Sequence, residues 1–262
     1  MKNWIKHQKD WVVKEGIYTY GFLNIFWTLI AFFILVIFKG DFVFSWASLP
    51  TLSILIILEM VQAYSSLHAI VESDRSTFGF LMIGTIPLLL IVDIILGYDL
   101  RIFYIWGTSL IVISLLVLLI NHGINKKGIG FVIFSTVNAV VTISLYKYNI
   151  THFNSVSAQQ IITLVPLLIF LFIMAKWKLR ENPLRYVFRK DLLIQSLSRG
   201  VGGLLVSVAY LYAPASVITS GRRGVAVLFS IISGNKIFHE KHLVIKLISF
   251  VGVVAGLILF LF

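Results

Sequence analysis

Nine apolar runs take up almost the whole chain, and each has the length that a helix needs to cross a bilayer. They cover 17–38, 48–70, 77–97, 102–120, 128–147, 158–176, 192–212, 215–234 and 243–262. The hydrocarbon core is spanned by about 17–25 mostly apolar helical residues. Backbone polar groups at that depth must bond within their own helix, so runs of this kind specify α-helices. The expected fold class is therefore all-α integral membrane, with about nine transmembrane helices. Composition agrees: 59% of the 262 residues are hydrophobic and 13% are charged. A soluble domain carries roughly 25% charged residues, and one core of this size cannot hide the apolar excess. The connecting loops are short, which leaves no room for an appended soluble domain. Trp27, Trp46, Trp106 and Trp177 fall near run ends, where interfacial aromatics belong.

The formal charge is +11, and its distribution matters more than its size. With the N-terminus inside, the inside segments 1–16, 71–76, 121–127, 176–191 and 235–246 hold 16 Lys/Arg. The outside loops hold 3, namely Lys39, Arg101 and Lys147, and Arg199, Arg222 and Arg223 lie in helices. This bias predicts an N-terminus inside and a C-terminus outside. It also accounts for the basicity without nucleic acid, which is not an expected partner. The segment 176–190 contributes most of the bias, and anionic lipid headgroups are an alternative use of it. The chain has no cysteine, so disulfides, thiolate metal sites and Cys nucleophiles are excluded. Residues 1–16 form a basic N-terminal segment that does not read as a cleaved signal peptide.

An offset of 142 residues brings the runs into register. The run at 17–38 falls on 158–176, 48–70 on 192–212, and 77–97 on 215–234; Gly107 falls on Ser249, and Ser114 on Gly256. The chain then divides into a first repeat of four helices, 17–120, and a second of five, 128–262. Partner helices are five apart, so they cross the membrane in opposite directions. Such an inverted repeat is common in secondary transporters, with the site near the midplane.

The second half carries Phe238-His239-Glu240-Lys241, then small residues at Ser249 and Gly256. The first half carries Leu96-Gly97-Tyr98, then Gly107 and Ser114. Upstream lie Tyr210-Leu211-Tyr212-Ala213-Pro214-Ala215-Ser216 and the pair Arg222-Arg223 followed by Val227-Leu228-Phe229-Ser230. On these features the chain resembles the EamA-like transporters of the drug/metabolite transporter superfamily. The resemblance is good over 190–262, fair over 77–120 and weak elsewhere. It implies a ten-helix fold, of which the first helix is absent here. It also implies outward movement of a small organic solute by alternating access. Tyr98 and His239 depart from the glutamate and glycine of the family's turn, and charge counting places the C-terminus opposite to the family habit.

Glu59 is the leading functional candidate, because it sits mid-run in Leu52–Met60. An acid there costs about 2.5–3.5 kcal/mol by insertion scales, so it faces the bundle interior or a wet cavity and points to proton exchange. The plain alternative is a protonated structural carboxyl. Gln62 and Ser66 share its face at i+3 and i+7. Tyr64, Tyr210 and Arg222 are expected to line the same substrate and proton site. Arg222 and Arg223, flanked by Gly221 and Gly224, are read as one guanidinium for an anionic group or for Glu59 and one anchor at the interface. Secondary candidates are Asp93, as a second proton site or the partner of a loop lysine; Asn138, as polar glue; and Arg199, as an interfacial anchor followed by Gly200, Gly202 and Gly203. Pro87 and Pro166 are expected kinks. Gly252 and Gly256 mark a packing face, with a homodimer as its other use.

Enzyme chemistry has no support. His239-Glu240-Lys241-His242 lacks the i, i+4 spacing of a zinc helix, and no phosphate-binding loop appears. No metal and no cofactor is expected. The reading is a secondary, proton-coupled exporter of a small organic metabolite or drug-like solute in a cell membrane, of prokaryotic inner or plasma type. Its partners are that solute and membrane lipids. A lipid-linked carrier flippase subunit and a non-transporting scaffold are the competing readings.

Overall fold

The computed structural model describes residues 16–72, 81–120, 128–238 and 243–260. Among these residues every regular element is helical. In chain order they are α1 (Ile17–Lys39), α2 (Leu49–Glu72), α3 (Thr85–Ile95), α4 (Ile102–Ile120), α5 (Ile129–His152), α6 (Val156–Lys178), α7 (Lys190–Ala209), α8 (Ala215–Phe238) and α9 (Leu243–Leu259). Among the described residues, five helical stretches are long and apolar enough to cross a membrane: Ile17–Lys39, Trp46–Glu72, Ile129–His152, Val156–Lys178 and Leu192–Ala209. Leu81–Ile95 and Ile102–Val117 are shorter apolar helices. Ile57, Ile91, Ile113, Ile169, Ile194 and Val201 are exposed within their helices. A soluble surface rarely tolerates so much exposed apolar area. The chain is a membrane-embedded helical protein.

The third apolar run is not one continuous helix. Gly84 forms a turn, its amide bonding to the Leu81 carbonyl at 3.0 Å. Pro87 explains the break. It has no amide hydrogen and its ring clashes with the carbonyl four residues back, so it suits the first turn of α3 and not the middle of a longer helix. Pro166, by contrast, lies inside α6, which continues through it.

The helices sort into two compact units. One comprises 16–71 and 141–212; the other comprises 72, 81–140 and 213–260 among the described residues. In the first, α1 packs against both α6 and α7. Its core includes Phe22, Leu23, Phe32, Leu55, Leu67 and Leu171. Gly200 lets α7 approach α1 closely, since a Cβ there would stand 3.1 Å from the Trp27 carbonyl and the Thr28 amide. Gly203 lies near Thr28, whereas Gly202 faces open space. In the second unit α4 packs along α9, and α8 packs on α3, α4 and α9. Ile83, Ile86, Ile111, Leu115 and Val253 form the core there. Lipid is as apolar as leucine, so helix association relies on close packing and polar contacts rather than on the hydrophobic effect. The α4–α9 seam shows this: a Cβ on Gly107 or Gly256 would run into the other's carbonyl, and Gly252 lies against Ser114. The Gly252/Gly256 face is thus a packing face within the chain.

One expectation is corrected. Lys147 does not lie in an outside loop. α5 continues to His152, and Lys147 is buried within it, 5% exposed. Of the three cations expected in outside loops, Lys39 and Arg101 are left. The apolar run stopped at 147 because Lys147, Asn149 and Thr151 interrupt it, but these side chains find polar partners inside the fold and the helix has no reason to end.

The partner of Asn149 belongs to a polar knot at the α1–α2 and α5–α6 connections. Asn154 Oδ1 accepts from the Ser45 amide at 2.9 Å, and its Nδ2 donates to Ser48 Oγ at 2.9 Å and to Gln159 Oε1 at 2.8 Å. The Ser155 amide donates to the Val43 carbonyl at 2.9 Å, and Ser155 Oγ accepts from the Val43 amide at 3.0 Å. Thr51 donates to Asn149 Oδ1 at 2.6 Å. A buried polar group stripped of its partner costs about 1–3 kcal/mol. We therefore expect Asn154→Ala to lower the thermal unfolding temperature in detergent by several degrees, read from tryptophan fluorescence. An unchanged melting curve would show that the knot does not hold these connections together.

Candidate functional site

Within the unit formed by 16–71 and 141–212, one polar track runs across four helices. Glu59, half-buried on α2, is hydrogen-bonded to the side chain of Thr142 on α5. Thr142 is itself buried at 2% exposure. One turn further along α5 stands Tyr146, on the same face at i+4. Its hydroxyl donates to the Ser207 carbonyl of α7 at 3.2 Å and shares a hydrogen bond with Gln160 of α6. Gln160 Nε2 in turn donates to Ser207 Oγ at 3.0 Å. Next to Tyr146, the Lys147 ammonium donates to the carbonyl of Tyr210, at the end of α7. The rings of Tyr146 and Tyr210 lie edge to face, 5.9 Å apart.

Each group here is one that hydrocarbon would exclude. Unpaired buried polar groups are costly, and polar side chains in spanning helices mark solute or proton paths. Together they offer an ionisable acid, two hydroxyl-bearing side chains on α5, an amide and an ammonium within one unit. Glu59 and Tyr210 were named from sequence; Thr142, Tyr146, Lys147, Gln160 and Ser207 were not. The i, i+4 pair Thr142 and Tyr146 was the available signal. It gained meaning only when the fold set α2, α6 and α7 beside α5.

The remaining sequence candidates are dispersed. Gln62 Nε2 donates to Ser66 Oγ at 3.0 Å, along its own helix. Tyr64 belongs to a separate cluster, where it stacks with Tyr18 at 6.3 Å and contacts the His68 ring at 4.5 Å. The Lys178 ammonium sits 5.1 Å from the Tyr64 ring centre. Tyr64 therefore does not share the Glu59–Thr142 contact. Arg199 is exposed on α7 and lies 5.5 Å over the Tyr20 ring.

In the unit formed by 81–140 and 213–260, Asp93 is buried at 1% exposure and accepts from the Ser216 amide at 2.8 Å. Ser216 is in the first turn of α8, where free amides and the helix dipole favour an anion. The carboxylate from α3 thus caps α8. We expect Asp93→Ala to cost about 1–2 kcal/mol and Asp93→Asn to retain most of the cap, since the amide oxygen still accepts. Thermal unfolding of the two variants tests this; equal loss in both would remove the capping account. Arg223 is half-buried and donates to the Met82 carbonyl, while Arg222 is exposed. Asn138 is buried on α5 at 6% exposure. The turn motif at 239–242 lies outside the described residues, as does most of the basic N-terminal segment. No metal-holding group of His, Cys, Asp and Glu occurs among the described residues.

No family model matches the chain, and no curated protein matches it.

Proposed function

We propose that this chain is a multi-pass transporter of a small organic metabolite or drug-like solute in the cell membrane. It works as a secondary, proton-coupled exporter by alternating access, and we place it with the EamA-like branch of the drug/metabolite transporter superfamily. The observation that carries the reading is the Glu59–Thr142 contact at the head of a buried polar track in helices of membrane-spanning length. An acid in that position binds a proton or a solute donor group, and competition between the two couples their movements. Tyr146, Gln160, Ser207 and Lys147 supply further hydrogen bonds along the solute's path.

Nine spanning helices built as an inverted repeat are part of the proposal. Its support is the pairing of helices: α1 packs on α6, α3 on α8 and α4 on α9, and each pair is related by the same sequence offset. Related elements that meet across a pseudo-twofold axis produce this pattern. The test is purified protein in liposomes containing a pH dye, challenged with pooled amino acids, nucleosides and amphiphilic amines. A solute-dependent pH change supports the carrier. Silence from folded protein favours a flippase subunit or a scaffold.

A further inference from the structure

The segment between α6 and α7 is an ordered turn with two distinct faces. Pro183 and Val187 are buried, and Leu184, Arg185, Phe188, Arg189 and Lys190 are exposed. The short helix Pro183–Tyr186 packs against α1. Its start is fixed by Asn182, whose Oδ1 accepts from the Leu184 amide at 3.3 Å. Phe188 is 79% exposed and Trp177, on the last turn of α6, 78% exposed. Both α6 and α7 are of spanning character, so the turn between them lies at the boundary of hydrocarbon and water.

A loop that only sets topology needs charge alone. This one exposes large apolar side chains and cations together. Across 176–190 there are six Lys/Arg and a single acid, Glu181, which turns away to accept a hydrogen bond from Thr19. Lys178 is likewise engaged with the rings of Tyr18 and Tyr64. Arg185 and Lys190 remain on the outer face beside Leu184 and Phe188. Apolar side chains of this kind enter the acyl boundary, while guanidinium and ammonium groups meet phosphate at headgroup depth.

We propose that the α6–α7 turn is a binding surface for anionic phospholipid, with Arg185 and Lys190 on the headgroup phosphates and Phe188 and Trp177 among the upper acyl carbons. The surface is independent of the transport reading. Its test is the quenching of tryptophan fluorescence in proteoliposomes by brominated phosphatidylglycerol or brominated phosphatidylcholine, with Trp177→Phe protein isolating the Trp177 signal. The wild type is expected to be quenched preferentially by the anionic lipid, and added salt should weaken the preference. Arg185→Gln and Lys190→Gln should each reduce the relative association roughly fivefold. Equal quenching of the wild type by both lipids overturns the proposal, whatever the variants do. So does a preference that inorganic phosphate abolishes at constant ionic strength, because the site would then be one for a free anion.

Discussion

Glu59→Gln protein is expected to fold, to insert and no longer to move protons with solute. Glutamine preserves the shape of the side chain, and its oxygen still accepts from the Thr142 hydroxyl. It removes only the capacity to ionise. A neutral amide also avoids the cost of holding a charge away from water, so the variant should be at least as stable as the wild type. The expected loss of solute-driven pH change is about a hundredfold or more, the scale on which a positioned proton-transfer group acts. Solute exchange without a proton gradient should survive, because the remaining polar track is intact. Two assays on one preparation therefore separate coupling from binding. If Glu59→Gln liposomes acidify or alkalinise at the wild-type rate, Glu59 is a structural acid and the coupling scheme fails. Glu59→Ala is a poorer probe, since it removes the Thr142 contact together with the capacity to ionise.

The second large effect is expected at the α4–α9 seam. A Cβ on Gly107 would stand 2.7 Å from the Gly256 carbonyl, and one on Gly256 would stand 2.8 Å from the Gly107 carbonyl. Each glycine makes room for the other's backbone. Backbone cannot rotate aside as a side chain does, so overpacking here should exceed the usual cost of about 1–3 kcal/mol. Gly107→Val should separate α4 from α9 and abolish monodisperse elution in detergent. Gly252→Ala is expected to be milder, because what it meets is the Ser114 hydroxyl group. Gly202→Val, with nothing within 4 Å, serves as the neutral control. A Gly107→Val protein as stable as the Gly202→Val protein would show that the seam is looser than its geometry implies.

Helix positions were legible in the sequence because length and apolarity alone define them. α1, α4 and α8 begin where their runs begin. Side orientation was not legible. In a soluble helix the polar face shows which side meets water, but here lipid-facing and core-facing positions are equally apolar. Glu59 was conspicuous as an acid in a run of leucines and isoleucines. Thr142 and Ser207 were not, because isolated hydroxyl residues are ordinary in membrane helices and often bond to their own backbone. Tyr64 was expected to line the same site as Glu59. Five residues of separation turn it well round the helix, into the cluster with Tyr18 and Lys178. Lys147 misled through a sound rule: cations do mark loops, except where the fold supplies a carbonyl for them.

The Asn154 knot has a mechanical consequence. The Asn154 amide accepts from Ser45 and donates to Ser48 and Gln159, and Val43 and Ser155 grip each other through backbone and side chain. Segments bound this densely travel together, so the loop before α2 and the turn before α6 form a rivet and not a gate. Any large opening stroke of the protein has to find its slack elsewhere, along seams that its own bonding leaves free to slide.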